Sequence, residues 1–196
     1  MTEMSRFSKY FVNRRGGRFY RKLVNTLATE GQLKLSPEAK VLEVGAGNGA
    51  LSALIYDRFH PTTLNVTDYD QDQVDFAKES LGERYGKLPP AFSLQRVDVL
   101  KLPFETGSLD LVLAFQMLHH VGTVEEILRA LDEITRVLKP GGQFIYMEMF
   151  HKQEIKEHLL ANHFEITWCK KRWQIVNTAE IIVAKNPLAP GRSPGA

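Results

Sequence analysis

The chain has 196 residues, 43% of them apolar and 24% charged, with a formal net charge of +2. That length fits one domain whose core needs no staples, and the composition excludes a disordered or collagen-like chain. Cys169 is the only cysteine, which excludes an intrachain disulfide and fits a reducing compartment; its place on a late strand predicts a core residue rather than a nucleophile. No apolar run reaches membrane-spanning length and the N-terminus lacks a signal-peptide pattern, so the expected location is the cytoplasm.

The charge is unevenly spread. Residues 1–34 carry Arg6, Lys9, Arg14, Arg15, Arg18, Arg21, Lys22 and Lys34 against Glu3 and Glu30, a local charge of +6 that leaves −4 for the rest. This basic arm reads as two short amphipathic helices. Phe7, Tyr10 and Phe11 share one face, Gly16-Gly17 interrupts, and Phe19, Leu23 and Leu27 recur at helical spacing.

Ser36-Pro37 marks the boundary to a second unit in which strand and helix patterns alternate. Strands are expected at 40–45, 62–67, 91–97, 109–115 and 142–149, and helices at 49–59, 70–84 and 123–138. Such alternation predicts an α/β fold with a mostly parallel sheet and helices on both faces. Pro140-Gly141-Gly142 reads as a helix stop before a strand. A short helix at 151–161 precedes two apolar runs, Phe164–Cys169 and Gln174–Ala184, which the polar link Lys170-Lys171-Arg172 would join as an antiparallel pair. The expected organisation is a helical cap over 1–34, one cofactor-binding domain over 35–185 and a disordered tail over 186–196.

The most informative stretch is VLEVGAGNG, Val41 to Gly49. A strand that enters a glycine-dense loop and then a helix lets backbone approach a nucleotide-type cofactor without Cβ atoms in the way. The loop alone leaves the cofactor open. Gly45-x-Gly47-x-x-Ala50 satisfies the dinucleotide fingerprint, and Asp68 stands where a dehydrogenase places its ribose-binding acid. Glu43 inside the strand and a third glycine at Gly49 point instead to a cofactor without a pyrophosphate, which does not need the helix N-terminus for phosphate.

Further motifs follow in order. Asp68 leads into DYDQDQVDFA, Val97-Asp98-Val99 into LKLPFETGSLDLVLAFQMLHHV, and RVLKPGGQFIYMEM closes the series at Arg136–Met149. This succession resembles the class I S-adenosylmethionine-dependent methyltransferases, in particular the group acting on small molecules, quinones and lipids. The resemblance spans roughly Pro37 to Ala184. It implies a Rossmann-like seven-stranded sheet, mostly parallel, that ends in an antiparallel strand pair, with S-adenosyl-L-methionine as the cofactor.

By that resemblance, backbone at Gly45, Ala46, Gly47, Asn48 and Gly49 wraps the methionine and ribose portions, and Glu43 helps to orient the ammonium end. Asp68 accepts from the ribose hydroxyls; the alternative is a helix cap, a role open to Asp70. Tyr69 lies along the adenine, Asp98 accepts from its amine unless it is only a turn residue, and Val99 adds a backbone contact. Phe115 and Gln116 close the fourth strand beside the cofactor. The sulfonium is an activated donor, so in-line placement and exclusion of water are the main demands. If a general base is needed, His120 is the first candidate and His119 the second, with Gln116, Tyr146 and Glu148 also at the mouth; packing at a helix start explains LHHV equally well. No metal is expected, since no Cys/His set has zinc spacing, and Gln116 and His119 stand where similar quinone O-methyltransferases carry two glutamates. Ala114-Phe115-Gln116-Met117 also departs from the signature of enzymes that methylate amide or base-amine nitrogens.

The expected function is therefore methyl transfer to a small-molecule or lipid-like acceptor, with the arm as the only segment long enough to cap the site. Its charge and aromatics suit an anionic substrate or an anionic membrane surface, unless its apolar residues simply pack on the core. An RNA- or protein-modifying enzyme is the second reading, and nucleic acid is disfavoured because the remainder is acidic and carries no RNA-binding module. A non-catalytic subunit with this fold is the third.

Overall fold

The computed structural model describes residues 6–173 and 178–187, with side chains from Gly17 to Lys171 and from Thr178 to Pro187. Seven strands form one sheet: β1 (Lys40–Val44), β2 (Thr63–Asp68), β3 (Phe92–Arg96), β4 (Leu109–Phe115), β5 (Leu138–Glu148), β6 (Glu165–Trp173) and β7 (Thr178–Lys185). Their order is β3-β2-β1-β4-β5-β7-β6, with β7 antiparallel to both of its neighbours and every other pairing parallel. Five helices cover it: α1 (Arg6–Thr29), α2 (Ala50–Phe59), α3 (Gln71–Tyr85), α4 (Val124–Val137) and α5 (Lys152–Ala161).

The strand pattern explains the layers. β1 is buried on both faces, as a central parallel strand must be, so its residues alternate between two cores. Val41 joins Leu64, Leu111, Leu113, Ile145 and Val183 beneath α1, α2 and α3, whereas Leu42 and Val44 join Val112, Phe144 and Ile182 beneath α4 and α5. α4 is the most strongly amphipathic helix: Ile127, Ala130, Leu131, Ile134 and Val137 are all fully buried along one stripe. Thr123 and Glu126 close its first turn with a reciprocal capping box.

The chain leaves β1 toward β2 and β3 on one side, then returns to β4 and β5 on the other. A crevice therefore opens at the carboxyl ends of β1 and β4, where open α/β sheets bind ligands.

Several elements differ from expectation. Gly16-Gly17 does not break the arm, and α1 is one helix of 24 residues. Each glycine costs about 1 kcal/mol against alanine, a penalty offset by Leu23, Val24 and Leu27, which are no more than 5% exposed in the core. Pro140-Gly141-Gly142 lies within β5 rather than before it. The register jumps from Leu109↔Leu138 to Leu111↔Gln143, so the prolyl residue without an N–H and the two glycines form a bulge. Lys139 and the backbone N–H of Lys40 both bond Asp110 there at 2.8 Å. Lys170-Lys171-Arg172 belongs to β6, and residues 174–177 lie outside the described residues. Cys169 is exposed, not core, because β6 is an edge strand. Asn186 is anchored, donating to the carbonyls of Leu138 and Lys139 at 3.0 Å; the expected disordered tail otherwise falls beyond the described residues.

α1 is thus a structural layer. Leu27→Ala should destabilise the protein by about 2–5 kcal/mol, read as a lowered denaturant midpoint. Removal of residues 1–30 should abolish cooperative unfolding rather than leave a folded domain without its cap, because it strips Leu23, Val24 and Leu27 from the core.

Candidate active site

The glycine loop after β1 is shaped by contacts that exclude side chains. Gly45 has φ +65°, and a Cβ there would lie 2.5 Å from that of Met117, so only glycine lets the loop pass beneath the segment after β4. Gly47 also has positive φ, at +54°, but nothing lies within 4 Å of where its Cβ would be. One side of the loop is tied to protein and the other borders open space, a cradle that fits an adenosyl cofactor.

Asp68, at the end of β2, holds the loop. Its Oδ2 accepts from the backbone N–H of Gly47 at 3.1 Å and its Oδ1 from that of Asp70 at 3.1 Å. Asp70, not Asp68, caps α3 by accepting from the N–H of Asp72. Asn48 takes the N–H of Ala50 at 3.2 Å, and the N–H of Ala46 donates to the Thr67 carbonyl at 2.9 Å.

Glu43 is 4% exposed in the middle of the sheet. Its Oε2 accepts from the backbone N–H of Ser52 at 2.9 Å and from the Ser52 hydroxyl. Ser52 was not singled out in the sequence; the signal was one small polar residue among the apolar residues of the first turns of α2. Burial is the main cause that lifts the Glu43 carboxyl to about 7, partly offset by the two Ser52 hydrogen bonds and reinforced by the charge of Asp68.

The remaining candidates line the same edge. Tyr69 is 50% exposed, with the Arg96 guanidinium 5.3 Å above its ring and the Arg96 Nε–H bonded to its carbonyl. Asp98 follows β3 and accepts from the N–H of Leu100 at 2.9 Å, a turn geometry, while Val99 is buried. Phe115 ends β4 and meets Tyr20 of α1 edge-to-face at 5.7 Å. Gln116 adopts φ +53°, a conformation rare outside glycine, and donates its N–H to the Met147 carbonyl at 2.7 Å.

His119 and His120 sit on a short 3₁₀ turn, Leu118–His120, with ring centroids 4.0 Å apart. Only His119 is oriented by a carboxylate: its Nδ1 lies 2.7 Å from Oε2 of Glu148, which is fully buried. The other Glu148 oxygen accepts from the backbone N–H of Leu118 at 2.9 Å. Burial first, and the neighbouring His119 second, push the His120 imidazole below its usual range, while the charges of Glu148 and Asp68 act in the opposite sense. Tyr146 points away from the mouth: it is fully buried, stacks on Phe144, and its hydroxyl has no partner among the described residues.

The raised Glu43 value sets the sign of a pH effect. Below its ordinary 4.5 the carboxyl is protonated in folded and unfolded chains alike, and between 4.5 and about 7 folding increasingly opposes its ionisation. Glu43→Gln retains an acceptor for both Ser52 donors and removes this titration. Its stability relative to the natural protein should rise by about 3 kcal/mol from pH 4.5 to above pH 7, measured by denaturant unfolding across that range.

Comparison with known proteins agrees with this geometry. Residues 42–146, more than half of the chain, match the family model described as a methyltransferase domain. A highly reducing polyketide synthase of Aspergillus niger is 32% identical over 123 residues, 58% of this chain and 5% of the synthase. A mouse tRNA (carboxymethyluridine(34)-5-O)-methyltransferase is 26% identical over 167 residues, 83% of this chain and 23% of that protein. The chain therefore spans a small fraction of these relatives. Among solved structures, the cyclase SpnF aligns with a TM-score of 0.71 at 21% identity, over 86% of this chain and 81% of its own. Magnesium protoporphyrin IX methyltransferase from Synechocystis PCC 6803, with bound S-adenosylmethionine, aligns with a TM-score of 0.70 at 19% identity, over 95% and 86%. The glycine cradle and its buried acid agree with the family match over more than half of the chain, and this chain belongs to the methyltransferase domain family.

Proposed function

We propose that the enzyme methylates a small-molecule acceptor whose attacking atom, an O–H or acidic C–H, gives up its proton to His119. The carrying observation is the 2.7 Å contact between Nδ1 of His119 and the fully buried Glu148. A carboxylate at Nδ1 holds the proton on that nitrogen and leaves Nε2 with a free lone pair, the tautomer a base requires. Among the described residues His120 has no such partner, which reverses the order in which the sequence ranked the two. Phe150, 46% exposed and 5.2 Å from the His119 ring, offers an apolar wall for the acceptor.

Bound S-adenosylmethionine supplies an activated methyl group on a sulfonium. Backbone from Gly45 to Gly49, with Asp68 toward the ribose, Tyr69, Asp98 and Val99 toward the adenine, and Glu43 toward the ammonium end, would hold it. Phe115 and Gln116 would border the cofactor at the end of β4, where Tyr20 brings α1 against Phe115 as a cap that would keep water from the site. His119 would take the acceptor's proton and Glu148 would offset the imidazolium charge.

A second reading, an acceptor within a nucleic acid, is favoured by the charge of α1. That helix has seven basic residues and no acidic one. The similarity to the mouse tRNA methyltransferase over most of this chain supports the same reading.

The test measures S-adenosylhomocysteine release with a panel of phenols, enols and carboxylic acids, and with RNA. His119→Asn should lower turnover by about 10²–10⁴-fold with cofactor affinity unchanged; full activity in that variant would overturn the base assignment. Asp68→Ala should weaken cofactor binding by about 1–3 kcal/mol, read by calorimetry. An unchanged affinity with intact melting would reduce Asp68 to a loop brace.

A further inference from the structure

Outside the transfer site, the α1–α2–α3 layer carries a concentration of guanidinium groups of which only Arg84 forms an ion pair among the described residues. A groove of about 260 Å³ between α1 and α2 is lined by Arg21, Asn25, Arg58 and Arg84, with Asp57 as its only acid. It shares Arg21 and Asn25 with a shallow recess of about 390 Å³ along α1 that adds Arg18 and Lys22. Three different helices thus converge their cations on one strip.

The strip is partly pre-ordered. The Arg58 guanidinium lies 5.6 Å from the Phe59 ring centroid and that of Arg84 lies 5.6 Å from the Tyr85 centroid. Asp57 is already engaged by Arg84 and by the Tyr85 hydroxyl. Arg18, Arg21, Lys22 and Arg58 form no ion pair among the described residues, and all four are exposed. Keeping like charges side by side without counter-charges costs free energy that a bound polyanion returns.

We propose that this strip docks the phosphodiester backbone of a nucleic acid. Arginine dominates it, and planar guanidiniums match phosphate oxygens in pairs where ammonium groups act as point charges. A membrane surface fits less well. An interfacial helix needs an exposed apolar face; among the described side chains, Leu23, Val24 and Leu27 are buried against the sheet, and the large exposed apolar residues, Tyr69, Phe150 and Leu160, lie on neither α1 nor α2. The contacts lie at phosphate level only, so they position a strand without reading its bases.

The inference deepens the nucleic-acid reading of the acceptor and is tested by binding alone, so its failure is separable from failure of the base assignment. The full chain is titrated into a short fluorescein-labelled single-stranded RNA of mixed sequence, read by anisotropy between about 50 and 200 mM salt. Binding should weaken steeply with salt. The Arg21→Gln/Arg58→Gln double variant should bind about tenfold more weakly, with a slope of log affinity against log salt shallower by about 1–2. Its melting and S-adenosylhomocysteine affinity should match the natural protein, which separates a docking defect from misfolding. The lysine pair at the same positions should keep the salt slope and lose part of the affinity. Absence of RNA binding at low salt, an unaltered slope in the glutamine variant, or tighter binding to polyglutamate or to phosphatidylglycerol vesicles than to RNA would each overturn the proposal.

Discussion

A carboxylate placed in the middle strand of a parallel sheet must be given donors, and much of this molecule follows from how Glu43 obtains them. Both donors come from Ser52, through its N–H and its hydroxyl, so the first turn of α2 is drawn onto the end of β1. The five residues from Gly45 to Gly49 must then make the whole turn between strand and helix. They do so with three glycines at positive φ, and the amides of Ala46 and Gly47 are spent on Thr67 and Asp68 of β2. One buried acid thereby fixes the glycine loop.

The same physics recurs at the other side of the crevice. Glu148 is fully buried at the end of β5 and receives the Leu118 N–H on one oxygen and the His119 ring on the other. An unpaired carboxylate in that position would be very costly, so the histidine and the 3₁₀ turn that carries it are held in one geometry. The strain recorded at Gln116, with φ +53°, fits a backbone forced to change direction sharply between β4 and that turn. The two buried acids thus organise different strands: Glu43 ties β1 and β2 to the glycine loop, and Glu148 ties β4 and β5 to the histidine turn.

α1 joins the two halves. Its inner face is core, its Tyr20 reaches Phe115 at the end of β4, and Arg18, Arg21 and Lys22 stand exposed on its outer face. A layer of the fold and a charged surface are one helix, and a change in either acts on the other.

The local pattern alone determined the order of strands and helices, the glycine loop with its acid, and the acids after β2 and β3. These are properties of short segments, in which period, turn chemistry and spacing are all written in consecutive residues. The continuity of α1 was not legible, because Gly16-Gly17 weakens a helix locally and the compensation comes from Leu23, Val24 and Leu27 meeting a sheet distant in sequence. Cys169 was misplaced for the same reason, since edge and centre of a sheet are decided by strand order. The sequence named His119, His120 and Glu148 as neighbours of the mouth, yet could not pair them. Which imidazole receives a carboxylate depends on β5 lying beside β4 in one register, and which cations meet across α1, α2 and α3 depends on how those helices pack. Only tertiary structure decides such matters, because hydrogen bonds and charge act over a few ångströms of space whatever the distance along the chain.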